Sequence, residues 1–165
     1  MTQAVEKDKK EGLKIFCDIK KCVACRACEL ACAVEHSKNK LLFETIKEEP
    51  PPKKRRRVSN SYGKTLSVGC QHCADAPCVA ACMAGALYKD EKGATLHDKD
   101  KCVGCWMCIM VCPFGAIARR VEEHIAVKCD LCPEREDFAC VAACPTGALF
   151  AGTIDEFEKK VKRKG

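Results

Sequence analysis

Residues 101–117 read KCVGCWMCIMVCPFGAI, and the spacing inside this stretch decides the fold. Cys102, Cys105, Cys108 and Cys112 follow the pattern C-x2-C-x2-C-x3-C, with Pro113 immediately after. Three thiols this close in sequence make the chain curl into a tight loop that aims three sulfurs at one small centre. The fourth lies beyond a short helical segment and points away from that loop. The same spacing occurs upstream at Cys22, Cys25, Cys28 and Cys32. Two looser versions are Cys70, Cys73, Cys78, Cys82 (C-x2-C-x4-C-x3-C) and Cys129, Cys132, Cys140, Cys144 (C-x2-C-x7-C-x3-C, then Pro145). Of the seventeen cysteines in the 165-residue chain, only Cys17 stands outside these four groups.

So many thiols, with one Trp, two Tyr and six Phe, mean that aromatic burial alone does not hold the fold. Disulfides and metals are the two physical substitutes. The N-terminus MTQAVEKDKKEG has no apolar targeting segment, and no stretch approaches a membrane span. A reducing, cytoplasmic location is therefore expected, where dense cysteine means metal. Zinc sites use two C-x2-C pairs across a longer spacer. Here the third and fourth cysteines are tied to the first two, four times over, which favours iron–sulfur chemistry. Four [4Fe–4S] clusters on sixteen thiolates turn the formal charge of +6 into about −2, which removes the bulk-charge case for nucleic-acid binding.

In two-cluster ferredoxins the fourth cysteine of such a group ligates the neighbouring cluster. The repeat continues past the cysteines in Gly85-Ala86-Leu87-Tyr88, Gly115-Ala116-Ile117-Ala118 and Gly147-Ala148-Leu149-Phe150, each a turn into a short strand. Hairpins are expected at 86–89 with 94–98, around Gly93, and at 116–121 with 125–128. Short helices are expected over 29–36, 79–82, 109–112 and 141–144. The expected class is α+β: tandem bacterial-type two-cluster ferredoxin folds, a pseudo-twofold polyferredoxin of short helices and hairpins.

Residues 13–19 alternate as a strand, with Leu13, Ile15, Cys17 and Ile19 on one face and Lys14, Phe16 and Asp18 on the other. Cys17 reads as a buried small hydrophobe rather than a ligand. Residues 37–65 break the repeat with Pro50-Pro51-Pro52 and the basic run Lys53–Arg57. That run reads either as a solvated loop or as a docking patch for an acidic partner. The tail 153–164 reads as a closing helix capped by Thr153, with Ile154, Phe157 and Val161 on one face. His72 and Trp106 lie inside groups two and three and read as packing residues that can tune a cluster. His36, His97 and His124 read as surface residues. No catalytic constellation is visible, so the chain reads as a non-catalytic electron carrier.

The strings CVACRACELACAVEHSKN, CQHCADAPCVAAC, KCVGCWMCIMVCPFGAI and VKCDLCPEREDFACVAACPTGAL resemble the four-cluster iron–sulfur electron-transfer subunits of redox enzyme complexes. The resemblance is strongest to the branch associated with carbon monoxide dehydrogenase. Relatives occur in tungsten aldehyde oxidoreductase, formate dehydrogenase, dimethyl sulfoxide reductase and hydrogenase complexes. It implies four ligand sets: Cys22, Cys25, Cys28 with Cys144; Cys70, Cys73, Cys78 with Cys112; Cys102, Cys105, Cys108 with Cys82; and Cys129, Cys132, Cys140 with Cys32. Lobe one is then 13–36 plus 122–152, lobe two 66–121, with 37–65 an insertion and 153–165 a terminal helix. In the family the clusters form one wire, from the group-one cluster through four and three to two. The implied partners are a catalytic oxidoreductase subunit of the carbon monoxide dehydrogenase or aldehyde oxidoreductase kind and a second redox protein. A freely diffusing polyferredoxin, or a subunit of a hydrogenase or formate dehydrogenase complex, is the alternative. Ala33 and Met83 stand where groups three and four carry Pro, a departure expected to alter the turn and not the ligands.

Overall fold

The computed structural model describes residues 12–162. Residues 1–11 of the stretch searched for a targeting segment, and the tail's Arg163 and Lys164, lie outside the described residues. In chain order the elements are strand β1 (Lys14–Cys17), helices α1 (Ala27–Glu35) and α2 (Leu42–Lys47), and strands β2 (Arg56–Ser61) and β3 (Lys64–Gly69). Helix α3 (Pro77–Ala80), strands β4 (Leu87–Lys89) and β5 (Thr95–His97) and helix α4 (Met107–Met110) follow. The chain ends through β6 (Ala118–Arg120), a 3-10 turn at Val121–Glu123, β7 (Ile125–Val127), α5 (Ala139–Ala142), β8 (Leu149–Gly152) and α6 (Ile154–Lys162). The strands form four separate antiparallel pairs: β1 with β8, β2 with β3, β4 with β5, and β6 with β7.

The one-turn helices begin two residues earlier than the sequence suggests, because the third cysteine of each group already lies in the first turn. They stop early for a local reason. Gly85, Gly115 and Gly147 adopt φ of 63°, 54° and 60° and return their N–H groups to the carbonyls of Cys82, Cys112 and Cys144. That left-handed turn suits glycine and releases the chain into the next strand.

Two small apolar cores result. One gathers Ile15, Cys28, Ala94, Leu131, Cys140 and Leu149, with Cys17, Cys129, Cys144 and Val58 against it. The other gathers Ala76, Cys78, Leu87, Cys108, Ile117 and Ala126, with Cys73, Cys82, Cys102 and Cys112 against it. Cysteine thus supplies much of the interior in place of aromatics. Two of the boundaries drawn from sequence fall inside hairpins. The line at 121/122 cuts the β6–β7 hairpin, whose Ala126 packs in the second core. The line at 65/66 cuts β2–β3, a continuous six-pair hairpin and the longest ladder in the described residues.

Strand β1 pairs with β8 in the register Ile15↔Ala151 and Cys17↔Leu149, which closes the chain on itself. Ile15 enters the core, as its face predicts. Phe16, placed on the outer face, is covered by α6: its ring stacks on Phe157 at 4.8 Å, and Phe157 lies 6.4 Å from Phe150. Thr153 and Glu156 cap α6 reciprocally, Thr153 N–H donating to Glu156 Oε2 and Glu156 N–H to Thr153 Oγ1. Ile154 remains exposed, so Phe157 is the residue that fastens this helix.

Candidate metal centres

Each cysteine loop is bent the same way. The residue just before the second cysteine has positive φ in all four groups: Ala24 (56°), His72 (44°), Gly104 (66°) and Leu131 (63°). Groups one and three repeat the bend at Arg26 (60°) and Trp106 (63°). Three of the four positions are not glycine, so the loops hold backbone strain of about 1–3 kcal/mol per residue. Such bends turn consecutive N–H groups toward the hollow of the loop, as in anion-binding nests. At Gly104 a side chain is excluded for a second reason, since a Cβ would come within 2.3 Å of the His124 carbonyl oxygen. Several N–H groups already reach sulfur: Arg55 N–H to Cys32 Sγ (3.2 Å), His72 N–H to Cys70 Sγ (3.4 Å) and Ala116 N–H to Cys112 Sγ (3.4 Å).

The cysteines converge across groups. One cavity is lined by Cys22, Cys25, Cys28 and Cys144, with Cys17 and Ser67 in its wall. A second is lined by Cys102, Cys105, Cys108 and Cys82, beside Trp106 and Gly104. Elsewhere Cys78 lies in the electrostatic field of Cys70 and Cys112, and Cys132 in that of Cys140 and Cys32. None of the seventeen is in a disulfide. Burial pushes Cys129 up to about 12 and Cys108 and Cys132 to about 11, so these thiols stay protonated until a metal displaces the proton. Soft sulfur donors, arranged three from a loop and one from elsewhere, fit an iron–sulfur cube.

Cys17 is half-buried at the rim of the first cavity. It accepts a hydrogen bond from Ser67 N–H at 3.3 Å, and burial raises it to about 11. It is a fifth sulfur beside a four-sulfur site, a proximity the strand pattern did not reveal. His72 is buried and its Nδ1 accepts from Thr95 N–H at 3.1 Å. Burial, then the Lys128 charge, lowers it to about 3, so it is a neutral packing residue. Of the three histidines read as surface groups, only His124 is exposed. His36 is packed between Cys32 and Asp130, with Nε2 3.1 Å from the Asp130 carboxylate. Burial would lower it, but the bonds to Asp130 and Cys32 prevail and raise it to about 9. His97 is half-buried in its hairpin, and burial lowers its pKa.

The basic run, read as a solvated loop or as a docking patch, is neither wholly solvated nor wholly buried: Lys54 and Arg57 are exposed, and the run turns inward at Arg56. Lys54 pairs with the buried carboxylate of Glu29, Arg55 pairs with Asp130, and Arg56 is buried against Ser67 and Ile15. Lys53 reaches Glu122 across the surface at 3.7 Å. The run opens β2, and the strand's pairing with β3 carries its side chains onto α1 and the cysteine core.

Residues 62–154 match the 4Fe-4S dicluster domain family. An iron-sulfur protein of Rhodospirillum rubrum is 37% identical over 164 residues, covering 90% of this chain and 86% of that one. The electron transport protein HydN of Escherichia coli (strain K12) is 36% identical over 163 residues, covering 88% and 90%. The thiosulfate reductase electron transfer subunit PhsB of Salmonella typhi is 35% identical over 146 residues, covering 86% and 76%. Cysteine loops bent alike, sulfurs converging from distant groups and these likenesses agree: the chain belongs to the 4Fe-4S dicluster family of iron–sulfur electron-transfer proteins.

Proposed function

We propose that the chain relays single electrons through four [4Fe–4S] clusters between a catalytic oxidoreductase subunit and a second redox partner. The observation that carries this reading is the make-up of the two cysteine-lined cavities. Each takes three sulfurs from one group and the fourth from another, Cys144 in one and Cys82 in the other. The remaining cysteines complete the scheme as Cys70, Cys73, Cys78 with Cys112, and Cys129, Cys132, Cys140 with Cys32. On this assignment groups one and four share one lobe and groups two and three the other, as a tandem pair of ferredoxin units related by a pseudo-twofold. With each hairpin kept whole, 56–69 goes with the first lobe and 118–127 with the second.

The clusters supply the one-electron chemistry, and the protein supplies spacing, exclusion of water and local charge. The loop N–H groups hold the sulfurs, and the apolar walls of each cavity cover them except at exposed Cys25 and Cys105. No helix among the described residues is long and apolar enough to cross a membrane. The partner is proposed to be an oxidoreductase of the carbon monoxide dehydrogenase or tungsten aldehyde oxidoreductase class, working in the cytoplasm; the resemblance of the four cysteine strings to that branch supports the choice of partner. Anaerobically purified protein is expected to hold about sixteen iron atoms per chain and to show reducible paramagnetic centres. Cys144→Ser and Cys82→Ser should each remove about a quarter of that iron, because each breaks one set. A colourless protein containing zinc would end this reading. An anaerobic pull-down with mass identification tests the partner separately.

A further inference from the structure

Two buried cations have no acid to answer them. Arg56 is 5% exposed and Lys128 2%. The Arg56 guanidinium donates from Nε to Ser67 Oγ (2.8 Å) and from Nη2 to the Ile15 carbonyl (3.1 Å), and its Nη1 lies 3.9 Å from Cys140 Sγ. Lys128 Nζ donates to the carbonyls of Thr95 and Cys129, tying β5 to the fourth cysteine group. Among the described residues neither cation is paired with a carboxylate. The acids Glu29 and Asp130 are committed to other cations, Glu29 to Lys54 and Asp130 to Arg55 and His36. A buried charge without a counter-charge is strongly destabilising. What lies within reach is cysteine sulfur, and it is shared unequally. Arg56 acts on Cys28, Cys129 and Cys140, and Lys128 on Cys78 and Cys129. Group four has both cations against it, Arg56 Nη1 beside Cys140 Sγ and Lys128 Nζ on the Cys129 carbonyl, while Arg56 reaches Cys28 of group one through Ser67 and the field of Lys128 reaches Cys78 of group two. Cys108, in group three, has four other cysteines as its strongest charged neighbours.

We propose that Lys128 and Arg56 are built-in counter-charges that set the order in which the clusters are reduced. The cluster held by Cys129, Cys132, Cys140 and Cys32, beside both cations, takes an electron first. The cluster held by Cys102, Cys105, Cys108 and Cys82, whose cavity wall contains neither cation, takes one last. Each reduction adds one electron, supplied by a low-potential donor, and one negative charge, which a buried cation stabilises across a low-dielectric gap. The order rests on the four-cluster assignment above. It makes an interior cluster the resting place of the first electron and leaves both lobes to exchange with it.

The test is a potentiometric titration of the anaerobic holoprotein followed by electron paramagnetic resonance, with iron counted on the same samples. Lys128→Gln and Arg56→Gln keep N–H donors and remove the charge. In either variant the highest-potential signal should fall by about tenfold in its reduction equilibrium, about 59 mV for one electron. One further signal should follow it, a different one in each variant, and the lowest-potential signal should stay put in both. Lys128→Arg should restore the original order. A highest-potential signal unmoved in both variants, with iron retained, overturns the proposal, as does movement of the lowest one. Should one variant lose its iron, the other decides by the same pattern. Should both, retention in Lys128→Arg and Arg56→Lys supports the counter-charge role, and loss there too overturns it. A wild-type iron content far below about sixteen defeats the four-cluster assignment itself, and is seen before any potential is measured.

Discussion

The two tight cysteine loops, 22–32 and 102–112, have the same spacing and the same left-handed bends, yet they sit in different surroundings. The residue after the third cysteine is Glu29 in the first and Ile109 in the second. Glu29 is buried, accepts from Val58 N–H and pairs with Lys54. Ile109 packs among apolar neighbours. Around the first loop the long β2–β3 hairpin supplies Arg56, Ser67 and the ion pairs. Around the second there are three-residue strands and an open apolar surface at Met83, Val103 and Met110. The lesson is that a repeat can conserve the metal site while one copy acquires a charged jacket. What that jacket contributes is field and rigidity, since the donor atoms are alike in both.

Equivalent serine substitutions give the largest test of the contrast. Cys28→Ser and Cys108→Ser should each lose about a quarter of the iron. Cys28→Ser also removes one of the thiolates near buried Arg56, which Cys28 meets through Ser67, so it should lower the melting temperature further than its counterpart does. Equal melting temperatures would show that the jacket is passive. Next in size, Glu29→Ile gives the first loop the residue of the second. Val58 N–H and Lys54 then lose their acceptor, and chemical unfolding should report a loss of about 2 kcal/mol.

The smallest effect concerns pH. His36 titrates at about 9 in the folded chain against 6.5 for a free histidine, because Asp130 holds the proton on. Its contribution is therefore complete below pH 6.5 and disappears as pH rises through 9. Melting measured across that window should show a decline of about 1 kcal/mol that His36→Gln abolishes. Group three has no such pair in its loop, and a decline that survives His36→Gln would place the titrating group elsewhere.

Much of this was legible in the sequence, and the parts that were not share a cause. The hairpins at 87–97 and 118–127, the four short helices and the strand at 14–17 follow from turn residues and alternation within a few positions. The burial of Arg56 does not. Its partners Ser67, Ile15 and Cys140 lie 11, 41 and 84 positions away. His36 likewise looked superficial because Asp130 is 94 residues distant. A basic run has one appearance in sequence whether it faces water or a sulfur-lined core.

The sequence by itself determined the kind of cofactor, because soft ligands at short, repeated intervals specify iron–sulfur chemistry through local loop geometry. Tertiary structure decided what surrounds each group: which core it enters, which cysteine from another group comes near it, and which cations stand beside it. Those outcomes depend on the closure of β1 onto β8 and on the packing of β2–β3 over α1. Such contacts form between segments whose residues carry no mutual mark along the chain.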